Sequence, residues 1–165
     1  MSAVMINQSK GGRYCTLAEA CAVPLPTATE SYTPVANGDL VRTAAQKICD
    51  YYNVANNDIE VNCGLSAKDQ QFFASLSVKS FTHEENKSLL QVVLGNSYNK
   101  TLCARGAGGI NSWVCDNLSI SGDIKFMRKH TSNVWLDLDE LLNKVVEGAL
   151  PAFNKGMNDA NCMRE

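Results

Sequence analysis

The chain has 165 residues, 45 % of them hydrophobic and 19 % charged, with a formal net charge of -2 and an isoelectric point near 5.7. That much apolar material supports the core of one ordinary domain and excludes a disordered chain. The charge balance excludes the broad basic field of a dedicated duplex-DNA binder, so any contact with nucleic acid has to use a local patch.

In chain order, residues 1–14 read as a flexible lead-in containing Gly11 and Gly12, and Thr16 to Glu19 has the spacing of a capping box that opens a short helix. Pro24 and Pro26 stop that helix. The segment up to Pro34 has no apolar period and is expected to lie along the surface as hydrogen-bonded coil, its Ser and Thr residues being a weaker candidate for a binding strip. Asp39 is placed to cap the next helix, in which Leu40, Val41, Ala44, Ala45, Ile48, Cys49 and Tyr52 form one stripe.

From Ile59 the period changes to two. Ile59, Val61, Cys63 and Leu65 alternate with polar residues or glycine, and Phe72, Ala74, Leu76 and Val78 do so again, which predicts a hairpin with one buried face. A turn at residues 83–87 leads into Leu89 to Leu94, a near-continuous apolar run suited to a central strand covered on both sides. The chain is then expected to turn at Gly95 to Lys100, run extended through Thr101 to Arg105, bend at Gly106 to Gly109 and return over residues 110–118. Asp137 and Glu140 repeat the capping-box spacing, and Leu138, Leu141, Leu142, Val145, Val146 and Ala149 make the stripe of a last helix that Pro151 should stop. Residues 154–165 are polar and expected to be flexible.

These elements predict an α+β fold in a single domain spanning 1–165: an antiparallel sheet of about five strands over residues 59–120, packed by two main helices near 39–52 and 138–150. Seven cysteines are scattered without a C-x-x-C pair, and Met1 to Gln8 lacks a charged n-region. Reduced thiols in a cytoplasmic setting, with no zinc and no other cofactor, are therefore expected. No apolar run approaches the roughly 18 residues of a membrane span, so no membrane contact is expected.

The candidate chemistry lies between Leu89 and Thr131. Residues 100–130 hold five Lys/Arg against two Asp/Glu, the cations being Lys100, Arg105, Lys125, Arg128 and Lys129. The turn Asn96-Ser97-Tyr98-Asn99-Lys100 carries more polar side chains than a turn requires and could hold a phosphate. Arg128-Lys129-His130-Thr131, just before a helix, has the donors for an anion at that helix N-terminus. Asn96, Ser97, Tyr98, Lys100, Arg105, Arg128, Lys129 and His130 are thus the expected anion- or nucleic-acid-binding residues. Cys115 or Ser97 with His130 as base, oriented by Asp116 or Asp123, would make a nucleophilic pair. No elbow motif supports it, and a cysteine in an apolar alternation is far more often core, so no catalytic residue is assigned and an enzyme is the less favoured class. Cys115, Asp116 and His130 match no metal-ligand spacing.

The blocks GRYCTLAEA, PTATESYTPVANGDLV, VVLGNSYNK, WVCDNLSISGD and RKHTSNVWLDL, in this order from about Gly12 to Leu150, resemble the phage- and plasmid-borne family built on the domain of unknown function 932. The resemblance implies a gene carried by mobile elements, acting in the cytoplasm of the host cell, and brings no established activity with it. Two departures stand out. Members often have a basic residue where this chain has Gly95 and an aspartate where it has Asn99, and they commonly continue into further C-terminal helical sequence. The expected function is a nucleic-acid-associated protein that binds or anneals single strands in replication or recombination through the local basic patch, with Tyr98 and Trp113 available for stacking. The alternative is a non-enzymatic interaction protein that inhibits a host defence component, its partner being a host or phage protein. Self-association into a homo-oligomer is compatible with either.

Overall fold

The computed structural model describes residues 3–83, 88–116 and 119–164. In chain order the strands are β1 (Val4–Met5), β2 (Arg13–Cys15), β3 (Ile59–Ser66), β4 (Gln71–His83), β5 (Ser88–Ser97), β6 (Ala104–Ile110), β7 (Trp113–Cys115), β8 (Ile120–Ser121) and β9 (Ile124–Arg128). The helices are α1 (Leu17–Ala22), α2 (Asn37–Tyr52) and α3 (Val134–Arg164).

The principal sheet has six strands in the order β2-β3-β4-β5-β6-β9, one more than the sequence suggests, and β1, β7 and β8 form a second, small sheet. Each pairing in the principal sheet is antiparallel. The alternation in β4 and β5 sorts their side chains onto two faces, as a period of two requires. Phe72, Ala74, Leu76, Val78, Leu90, Val92 and Leu94 face the helices and pack with Leu40, Ile48, Leu138, Leu142 and Val145. Phe73, Val93 and Ala107 face the other way, against Val4 and Val114 of the small sheet. The architecture is therefore α+β in one domain, a sheet with helices on one side and a three-stranded flap on the other. Of the expected core, Val92, Leu94, Leu76, Val78 and Val145 are buried, and Leu141 is partly so.

Several boundaries differ from the sequence reading. Residues 1–14 are expected to be a flexible lead-in, yet Val4–Met5 and Arg13–Cys15 are strands: β1 joins β7 in parallel and β2 lies against β3. Both are too short to show a period. The expected bend at Gly106 to Gly109 is the middle of β6. Gly108 faces α3, where a β-carbon would stand 2.8 Å from Val145 Cγ1 and 3.2 Å from the Val145 carbonyl oxygen, so the glycine here serves helix-to-sheet approach rather than a turn.

Thr16 caps α1 as expected, its side chain accepting from Glu19 N at 3.1 Å. Asp39 does not cap α2. It lies in the first turn and pairs with Arg42 at 3.2 Å. Asp137 likewise sits inside α3, which begins at Val134, and α3 continues through Pro151 to Arg164 instead of stopping there. A proline inside a helix removes one N–H donor without obliging the helix to end. Residues 84–87 of the β4–β5 turn and residues 117–118 of the expected return strand lie outside the described residues. Among the described residues no helix is long and apolar enough to cross a membrane.

Candidate functional site

Three segments far apart in the sequence, residues 31–37, 96–102 and 128–131, meet at one end of the principal sheet, and Asn96 joins them. Asn96 is fully buried at the end of β5. Its Nδ2 donates to the Val35 carbonyl at 2.6 Å and to Asn37 Oδ1 at 2.8 Å. A carbonyl can only accept, so the amide orientation is fixed and Asn96 Oδ1 must be the acceptor for His130 Nε2, 2.7 Å away. His130 accordingly carries its proton on Nε2. Its own carbonyl accepts from Thr33 N at 3.0 Å, and its ring lies 5.6 Å from that of Tyr32.

The remaining turn residues are absorbed by the same junction. Ser97 is fully buried, with Oγ donating to the Leu102 carbonyl at 2.9 Å and accepting from Leu102 N at 3.1 Å, which closes the loop between β5 and β6. Tyr98 points inward, and its hydroxyl accepts from Asn37 N at 2.9 Å. It thus satisfies the first N–H of α2, whose cap position is Ala36 and offers no side-chain acceptor. Burial raises the Tyr98 pKa, and that hydrogen bond opposes the rise. These contacts assign Asn96, Ser97 and Tyr98 to the scaffold of the site. The side chains expected to meet an anion are at these three positions buried and hydrogen-bonded within the protein.

The cations separate in the same way. Arg128 Nε donates to Asp137 Oδ2 at 2.6 Å, tying β9 to the first turn of α3. Both partners are more than a third exposed, so the pair adds at most about 1 kcal/mol. Arg105 is buried, with Nε donating to the Cys103 carbonyl at 3.4 Å, and burial lowers its pKa. The expected convergence of Lys100, Arg105, Arg128 and Lys129 with Tyr98 on one open face is therefore not what forms.

What does form is a cleft of about 300 Å³ with Lys100, Lys129 and His130 on its walls, together with Tyr32 and the hydroxyl-bearing Ser31 and Thr131. Leu102 and Cys103 also line it, and among the described residues no carboxylate does. Lys100 and Lys129 are exposed, and among the described residues neither has an acidic partner. Lys100 Nζ stands 4.8 Å above the Tyr32 ring, a cation–π contact that parks the ammonium at the cleft without neutralising it. Tyr32 and Cys103 are not among the residues expected from the sequence, whereas Ser31 belongs to the Ser and Thr residues offered there as a weaker binding strip. The surface segment containing Ser31 and Tyr32 did carry a signal, the polar run before Pro34.

Burial pushes the His130 pKa below its ordinary 6.5. A base whose folded-state pKa is depressed is fully stabilising above the unfolded value, and its contribution declines as pH falls from about 6.5 toward the folded value. The melting temperature should therefore fall more steeply between pH 7 and pH 5 in the parent than in His130→Gln. Parallel curves for the two proteins would show that His130 does not couple protonation to folding. Among the described residues no three His, Cys, Asp or Glu side chains converge as a metal-binding group. Asp116 instead accepts from Asn7 N at 2.8 Å, and Cys115 N donates to the Ser119 carbonyl at 2.9 Å.

No family model, curated protein or solved structure matches the chain.

Proposed function

We propose that the chain is a nucleic-acid-associated protein of phage or plasmid origin, and that it holds single strands by their phosphates at the cleft between Lys100 and Lys129. The observation that carries this reading is a pair of lysines flanking a cleft, with no acidic partner and no carboxylate in the lining among the described residues, on a chain whose net charge is negative. Ser31 and Thr131 add hydroxyl donors beside the Lys100 ammonium. The resemblance to the mobile-element family supports the setting in replication or recombination. Arg128 and Arg105 are outside the binding set, since the first is committed to Asp137 and the second is buried.

The test is fluorescence anisotropy of a labelled oligothymidylate titrated with protein at several salt concentrations, for the parent and for Lys100→Ala with Lys129→Ala. Each single-strand phosphate contact contributes about 0.7 to the slope of log affinity against log salt, so the double variant should bind more weakly with a slope shallower by about 1.4. Equal affinities and slopes, or no binding by the parent at low salt, would favour the second reading. In that reading the protein inhibits a host defence component by direct contact. Its support is the strong exposure of Leu136 on α3 and Tyr51 on α2, 75 % and 53 %.

A further inference from the structure

The edge strand β9 leads into the cleft, and its alternation divides it sharply. Phe126 is buried in the helix-side core, and Arg128 is held by Asp137. Lys125 and Met127 stand opposite Ala107 and Arg105 in the pairing with β6. Cross-strand partners share a face, and Ala107 belongs to the cluster on the side away from the helices, so Lys125 and Met127 look out on that side. Both are exposed, Met127 by 58 %. Lys125 has no ion pair among the described residues, and Lys129 follows at the strand end as a wall of the cleft.

We infer that this open face of β9 is a track for single-stranded nucleic acid running from the cleft along Lys129, Met127 and Lys125. The inference deepens the proposed function and rests on it. Same-face positions on a strand recur about every 6.6–6.8 Å, the scale of the repeat of an extended nucleotide chain. Lys125 and Met127 are therefore one such repeat apart, and Lys129 continues the line just past the strand end. Met127 lies between the two lysines as a polarisable, adaptable apolar surface for a base. Arg105, the cross-strand partner of Met127, is buried and outside the track. Asp123, just before β9, has its carboxylate folded against Gly109 and marks the end of the track. The line is one strand wide, which suits a single strand.

The experiment uses labelled oligothymidylates of about 4 and about 12 nucleotides, bracketing the site sizes of single-strand binders. They are titrated into the parent, Lys125→Ala with Met127→Ser, Lys100→Ala with Lys129→Ala, and Lys144→Ala as a control on α3. The track variant should bind the longer probe several-fold more weakly, with a salt slope shallower by about 0.7, and should bind the shorter probe much as the parent does. Lys144→Ala should match the parent on both. If the cleft variant loses both probes while the track variant loses neither, the cleft reading stands and the track is wrong. If the parent binds no oligonucleotide, both readings fail. If oligoglutamate displaces the longer probe as well as unlabelled oligothymidylate does, the face serves acidic peptides and its assignment to nucleic acid is overturned. Lys125 and Met127 are exposed, so melting curves of their variant should overlay the parent's and separate lost binding from lost fold.

Discussion

Asn96→Ala should lower the unfolding free energy by about 3 kcal/mol, which for a chain of this size is a fall in melting temperature of about 6–12 °C. The expectation follows from what the amide leaves behind. Its loss strands the Val35 carbonyl, Asn37 Oδ1 and the Nε2–H of His130 in a region where Asn96 itself has no exposure. Each buried group left without a partner costs about 1–3 kcal/mol, and the three are too close to be independent. Asn96→Asp separates this cause from simple cavity formation. Aspartate fills the same volume but turns a carboxylate oxygen toward the Val35 carbonyl and Asn37 Oδ1, so it should be at least as damaging as alanine. A near-parental Asn96→Asp, or a loss under about 1 kcal/mol for alanine, would show that the amide is not the joint between these segments.

Gly108→Val should be comparably destabilising, for a reason of space. The added β-carbon alone would stand 2.8 Å from Val145 Cγ1, 3.2 Å from the Val145 carbonyl oxygen and 3.3 Å from Ala149 Cβ. The side-chain contact can relax by rotation, but the carbonyl is part of α3, so the helix must lift from β6. Overpacking of this kind costs about 1–3 kcal/mol, and valine adds two further methyl groups beyond the β-carbon. The strand gains about 0.5–1 kcal/mol from losing a glycine, too little to offset that. Chemical denaturation should show Gly108→Val near the top of the range and Gly108→Ala below it. Adding Val145→Ala to Gly108→Ala should recover part of the loss and not all, because the carbonyl stays. Parental stability for Gly108→Val would mean that α3 does not rest on β6 in solution.

Gly108 also illustrates how far the fold could be read in advance. Where one face of an element is buried, the pattern is local and legible: α2, β3, β4 and β5 follow directly from apolar residues at periods of 3.6 and two. Gly106 and Gly108 read as part of a bend because a glycine's purpose depends on its neighbours in space, here Phe126 and α3, which lie well downstream in the sequence. β1 and β2, with two and three residues, are strands only by virtue of the partners they meet.

The site divides along the same line. Lys100, Lys129 and His130 were recognisable by residue type and do share the cleft. Asn96, Ser97, Tyr98 and Arg128 were singled out for the same chemistry and are occupied by hydrogen bonds whose partners lie on other segments or across a loop. Tyr32 carries no charge and no motif of its own, and its part in the cleft comes from packing beside His130 and beneath Lys100.

The parallel pairing of β1 with β7 has a consequence for the order in which the molecule can be built. Val4 pairs with Val114, so β1 has to wait for this partner until more than a hundred further residues have been made. Until then the meander of β3, β4 and β5 holds Phe73 and Val93 on a face whose cover, Val4 and Val114, is incomplete. Closing so long a loop is slow relative to forming hairpins between neighbours. The flap thus cannot close before β7 has been made, and the nascent chain passes through a stage with that side of its sheet wet.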